Sequence, residues 1–120
     1  MLAHENLDVY RCAIEFLALA SKVAEGFPRG NASLADQLRR AAMSIPLNIA
    51  ESAGCRGTGD RRRFLSIARG SAMECSAALD VCRILALSGD DSVNQGKALL
   101  VRIVSMLTKM TAVPGNSDGP

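Results

Sequence analysis

The sequence predicts an all-α fold, an antiparallel up-down-up-down four-helix bundle with a kink at Pro46 in its second helix. Three observations lead there. Apolar residues recur at three- and four-residue intervals in four separate stretches. Short clusters of Gly, Pro, Asn and Ser punctuate the chain between them. Nowhere do apolar runs alternate as in a strand or flank an Asn-Gly hairpin signal. The 120 residues are enough for one domain around one core, expected over residues 1–113, with a polar, Gly-rich and disordered tail over 114–120. Loops this short favour antiparallel neighbours, hence the bundle.

The first helix is expected over residues 7–24. Leu7, Tyr10, Ile14 and Leu17 form one apolar stripe, and Val9, Ala13, Phe16, Ala20 and Val23 a second beside it. The second opens at Asn31 or Ser33, where Ser33 and Asp36 have the spacing of a capping box, and runs to 53. Leu38, Ala41, Ala42, Ile45 and Ile49 are its inward residues. Pro46 removes one amide donor and presses on the carbonyl of Ala42, which predicts the kink. Thr58 or Asp60 caps a third helix reaching 87, with Phe64, Ala68, Ser71, Cys75, Leu79 and Cys82 inward. The fourth starts near Ser92, with Gln95 completing a capping box, and turns Leu100, Ile103, Val104, Leu107 and Met110 to the core. A displaced row, Leu99, Met106 and Val113, makes its apolar face wider than one core requires. The first helix shows the same surplus, and self-association is expected to cover it.

Composition bounds the function. Hydrophobic residues are 48% and charged residues 22%, as in ordinary globular proteins, and a net charge of +2 identifies no partner. Three Phe, one Tyr and no Trp leave Ala, Leu, Ile, Val and Met to fill the core. With no basic segment ahead of an apolar stretch near Met1, and no run of about 20 apolar residues, neither a secretory signal nor a membrane partner is expected. The expected location is cytoplasmic. Cys12, Cys55, Cys75 and Cys82 form no C-x-x-C pair and read as reduced packing residues. His4 is the sole histidine, at a terminus expected to fray, so neither a metal site nor a cofactor is expected.

Two constellations stand out. Arg40, Ser44, Asn48 and Glu51 share one face of the second helix, and Glu74 sits among apolar or small neighbours, Ile67, Gly70, Ala77, Ala78 and Val81. A carboxylate enclosed in that way needs a partner. Arg40 or Asn48, or a neighbouring subunit's equivalent, is expected to supply it, in a structural polar network that fixes helix register. The other constellation is basic. Between residues 39 and 69 lie seven arginines against Glu51 and Asp60. Of these, Arg39, Arg56, Arg61, Arg62, Arg63 and Arg69 form a candidate nucleic-acid-binding set. Three of them fall in the first turn of the third helix, where the helix dipole favours an anion. Gly54, Gly57 and Gly59 lack the Gly-Lys-Ser/Thr ending of a P-loop and no strand precedes them, so they mark a turn. No Ser or Cys nucleophile pairs with a His, and no catalytic residue is assigned.

The segment Arg39-Arg40-Ala41-Ala42-Met43-Ser44-Ile45-Pro46-Leu47-Asn48-Ile49-Ala50-Glu51, together with residues 64–74, Phe-Leu-Ser-Ile-Ala-Arg-Gly-Ser-Ala-Met-Glu, resembles the four-helix-bundle proteins encoded in intervening sequences of bacterial large-subunit (23S) rRNA genes. Leu7-Asp8-Val9-Tyr10 followed by Phe16 extends the likeness, which covers residues 6–112. The resemblance implies an antiparallel bundle assembled as a ring, typically a homopentamer. It also implies a distant kinship to the accessory protein of diversity-generating retroelements, which works with a reverse transcriptase and nucleic acid. Ser52-Ala53 ahead of Gly54, where Gly usually follows Ala-Glu, and Cys75 in place of a larger aliphatic residue depart from the pattern. The function expected is non-enzymatic: an oligomer whose basic patch contacts RNA or DNA. An adaptor for a protein partner such as a reverse transcriptase is the alternative. An enzyme using Glu51, Glu74 and Arg40 at a subunit junction ranks below both.

Overall fold

A computed structural model of the chain describes residues 2–112, so the expected tail lies outside the described residues. A single 3-10 turn, Ala3–Asn6, leads into four helices: α1 Asp8–Glu25, α2 Ala32–Gly54, α3 Thr58–Ile84 and α4 Asp90–Met110. The described residues include no strand, and none of their helices is long and apolar enough to cross a membrane. Each helix packs on two others, in the cycle α1–α2–α3–α4–α1.

Both expected capping boxes fail, for one reason. In each case the helix begins before the serine, α2 after Asn31, one of its two expected starts, and α4 after Gly89, and neither N-cap makes a side-chain capping bond. Ser33 lies inside α2, and Asn31 uses its side-chain amide to bond the carbonyls of Pro28 (2.9 Å) and Arg29 (3.4 Å). Likewise α4 starts at Asp90, two residues ahead of Ser92, with Asp90 and Asp91 in its first turn, where the dipole favours carboxylates. The helix α3 ends three residues short of 87. The Leu87 amide bonds the Cys82 carbonyl at 2.9 Å and the Ala86 amide bonds that of Arg83 at 3.1 Å, a Schellman closure. Ala86 takes the left-handed conformation this requires, φ 53°. The helix α2 continues through buried Pro46 without interruption.

The core is built from Phe16, Leu38, Ile45, Ile49, Leu65, Leu79, Ile103 and Leu107, all fully buried, with Ala and Cys between them. Each such side chain contributes about 1.5 to 3 kcal/mol relative to exposure. On α1 only the second apolar stripe is buried. Leu7, Tyr10 and Leu17 pack at its edge, and Ile14 is 42% exposed. His4 is held rather than frayed, its ring edge-on to Tyr10 with centroids 4.8 Å apart. On α4 the surplus row is mostly used within the chain. Leu99 is 8% exposed, Met106 packs on the core, and Val113 lies outside the described residues. Met110, expected inside, is 40% exposed. Leu65, Ala72 and Ala78 join the core from α3, where the expected stripe was centred too narrowly.

One glycine sets how closely the helices approach. A Cβ on buried Gly96 of α4 would lie 2.8 Å from Leu79 Cδ1 of α3, 3.3 Å from Leu19 Cδ2 and 3.5 Å from the Phe16 ring of α1. Polar bonds seal the α3–α4 rim. Residues 69, 76, 80 and 83 of α3 meet residues 108, 97, 97 and 94 of α4, including Lys97 Nζ to Asp80 Oδ1 at 2.6 Å.

Two substitutions test these backbone constraints by urea denaturation. Ala86→Gly removes the left-handed penalty and stabilises by about 0.5 to 1 kcal/mol. Gly96→Val overpacks the junction of three helices and destabilises by about 2 kcal/mol.

Candidate functional site

The turn between α2 and α3 collects four of the six candidate arginines. The helix α2 stops at Gly54, three residues follow, and α3 begins at Thr58 with Arg61, Arg62 and Arg63 in its first turns. Arg56 extends from the connection into solvent. The Arg61 guanidinium reaches back to donate to the Cys55 carbonyl at 3.5 Å. Arg63 lies over the Phe64 ring, 4.4 Å from its centroid, and 3.8 Å from Asp60. Arg62 is half-buried. The Arg63–Asp60 pair is exposed on both sides, so it neutralises little. Asp60 is the one acid in the first turn of α3.

The remaining two arginines of the set stand elsewhere. Arg69 is further along α3 and donates from Nε to the Thr108 hydroxyl of α4 at 2.9 Å. Arg39 sits some fifteen residues before the end of α2, roughly 22 Å at about 1.5 Å per residue, beside Asp36 at 4.0 Å. Counting charge along the sequence groups residues that a rigid helix holds apart.

The polar face of α2 meets α3 through hydroxyls. The Ser71 hydroxyl donates to Ser44 Oγ at 2.7 Å, and Asn48 Nδ2 donates to the Ser44 carbonyl at 2.8 Å and to its Oγ at 3.0 Å. Ser71 was expected as a core-stripe residue. It is the cross-helix partner that the polar pattern on α2 alone did not reveal. Arg40 and Glu74 share a solvent-open depression of about 350 Å³ with Gln37, Ala41, Ser44 and Ser71. No ion pair joins them, and Glu51 is exposed and outside the depression. Glu74 is itself exposed. Its apolar neighbours 67, 70, 77 and 81 lie on the same outer face, so they enclose nothing within one chain.

A family model described as 23S rRNA-intervening sequence protein matches residues 5–109. No curated protein matches the chain.

Among the described residues, no group of three or more His, Cys, Asp or Glu is placed to hold a metal ion. All four cysteines are free thiols. Burial raises the pKa of Cys12 and Cys82, and pushes Cys75 up to about 12, with the Glu74 charge adding to the rise. These three are therefore protonated, and inert, at neutral pH. Titration of the native protein with a thiol-reactive disulfide at pH 8 should modify Cys55 alone. The other three react only when denaturant is added. A raised thiol pKa also means that stability falls as pH climbs above 9, where thiols ionise in the unfolded chain but not in the folded one.

Proposed function

The chain belongs to the 23S rRNA-intervening sequence protein family, and from that premise we propose that it is a non-enzymatic, self-assembling bundle that contacts RNA or DNA through its α2–α3 turn. In this reading the helices run up-down-up-down and α2 bends at Pro46. The fall of α4 partner numbers as those on α3 rise supports the antiparallel course of that pair.

The observation that carries the proposal is the placing of Arg61, Arg62 and Arg63 at the N-terminal end of α3, with Arg56 just before it and Asp60 as the one acid in the first turn. Because α3 begins at Thr58, Arg61 closes its first turn and Arg62 and Arg63 follow in the second, so the dipole opposes mainly Arg61, at about 0.3 to 1 kcal/mol. A phosphate at the turn reverses the sign, because guanidinium groups and the free amides of the first turn both donate to it. Phe64, the aromatic ring beside these arginines, is taken up by Arg63 and is half-buried. Base stacking therefore contributes little, and the contact reads backbone rather than sequence. Self-assembly repeats the turn in every copy, so weak single contacts add on one long polyanion.

The test is fluorescence anisotropy of a labelled single-stranded RNA across a salt series. Affinity should fall steeply and linearly in log–log form. Replacing Arg61, Arg62 and Arg63 by Ala should weaken binding at least tenfold and reduce the salt slope by about 2, taking about 0.7 per phosphate contact. Binding indifferent to salt, or unchanged in the triple variant, contradicts the proposal.

A further inference from the structure

The groove between α2 and α3 holds polar groups that the fold leaves unspent. Ser44 and Ser71 are both half-buried, and the Ser71 hydroxyl donates to Ser44 Oγ at 2.7 Å. Asn48 Nδ2 donates to the same oxygen at 3.0 Å. Each serine hydroxyl has one hydrogen to give and two lone pairs to receive with. Ser44 Oγ thus accepts two bonds, while its own hydrogen finds no acceptor among the described residues. Reversing the serine–serine bond would free the Ser71 hydrogen instead, so one hydroxyl donor is left over either way. Packing does not call for hydroxyls at this level, since buried Ala41, Ala42, Ala68 and Ala72 of the same two helices fill the core with methyl groups.

Both serines line the solvent-open depression of about 350 Å³, together with Gln37, Ala41, Arg40 and Glu74. Arg40 stands one turn before Ser44 on α2, and Glu74 one turn after Ser71 on α3. The lining therefore carries one cation on one wall and one anion on the other, beside the serine contact. They form no ion pair within 4 Å, and neither pairs with another described residue.

These charges decide what the depression can recognise. A simple anion gains Arg40 but faces Glu74, and a simple cation gains Glu74 but faces Arg40. A small molecule bearing both charges satisfies both walls. A carboxylate matches the guanidinium fork with two parallel bonds and can also accept the spare hydroxyl hydrogen. An ammonium group brings three donors, for the Glu74 carboxylate and a serine oxygen. The two walls belong to adjacent helices joined through their serines, so the ligand's own charges must lie close together. At about 30 Å³ per water the depression holds about a dozen waters, enough for such a molecule. Its open side leaves any further substituent in solvent.

We propose that this depression binds a free α-amino acid, with the carboxylate on Arg40 and the spare serine hydroxyl, the ammonium on Glu74, and the side chain directed outward. The site is separate from the arginine turn and does not depend on it.

The test is equilibrium dialysis of the full chain against radiolabelled L-alanine at neutral pH, with circular dichroism to verify that each variant keeps its helicity. Alanine should bind saturably, and glycine and serine should displace it about equally well. N-acetylalanine lacks the ammonium, alaninamide lacks the carboxylate, and γ-aminobutyrate holds its charges further apart. Each should compete at least tenfold less well than alanine. Arg40→Gln and Glu74→Gln, both at exposed positions, should each weaken alanine binding at least tenfold. Replacing Arg61, Arg62 and Arg63 by Ala should leave it unchanged. Absence of saturable binding overturns the proposal, and so does unchanged binding in the Arg40 and Glu74 variants. N-acetylalanine or alaninamide competing as well as alanine reduces the site to one for a simple ion and overturns the two-charge recognition. Equal competition by γ-aminobutyrate overturns the α-amino acid assignment, and loss of binding in the triple variant overturns the separation from the arginine turn.

Discussion

Close approach of helices is the constraint on which the rest of this structure depends. With few aromatic residues to fill space, the interior is closed by Ala, Cys and a single Gly between medium-sized aliphatic side chains. Phe16 is the exception, a fully buried ring directed at the point where α1, α3 and α4 converge on Gly96. Small residues at a helix contact stabilise only when backbones come near enough for dispersion contacts to accumulate, because any gap forfeits them outright. The chain meets that condition without burying unpaired polarity. Among the described residues no buried side-chain nitrogen or oxygen lacks a partner, and buried Ser52 donates to the Ile49 carbonyl at 2.6 Å.

A core of this kind uses one side of each helix and leaves the outside free to vary. The polar contacts between helices sit at rims, as with Ser44 and Ser71 or Lys97 and Asp80, where they fix register while remaining near water. Chemistry capable of recognising a partner is therefore peripheral. The arginines gather at a turn, and the apolar surplus runs along the outer faces of α2, α3 and α4, where Leu47, Ile84 and Val101 are all more than half exposed. The residues that close the core and those that form the arginine cluster are different residues, so either set can change without the other.

Much of the fold was legible in the sequence because helical spacing is a local signal. The interval pattern over Leu38, Ala41, Ala42, Ile45 and Ile49 places one face of α2 inward with no knowledge of its neighbours, and all five are buried. What the pattern lacks is the angular position of each helix against the others. Leu99 and Met106 looked surplus because the width of the face that α4 turns inward depends on packing rather than spacing. Glu74 looked enclosed because its apolar neighbours were taken for an inner face, although the same 3.5-residue interval describes an outer seam equally well. The capping-box spacing misled because each helix opens earlier: α2 after Asn31, one of its two expected starts, and α4 after Gly89. Of the candidate site, the cluster around Arg61 was legible because those residues are adjacent in the chain. The position of Arg39 was not, because counting charge ignores the rise of the helix between them.

The most direct test of the central claim is the equilibrium stability of Phe16→Ala beside that of Val101→Ala, each measured by urea denaturation at protein concentrations low enough for single chains. If close packing at the convergence of α1, α3 and α4 carries the fold, the first loses about 3 to 5 kcal/mol and the second stays within about 0.5 kcal/mol of wild type. A Phe16→Ala variant that loses less than about 1 kcal/mol, or a Val101→Ala variant that loses as much as Phe16→Ala, would contradict the account.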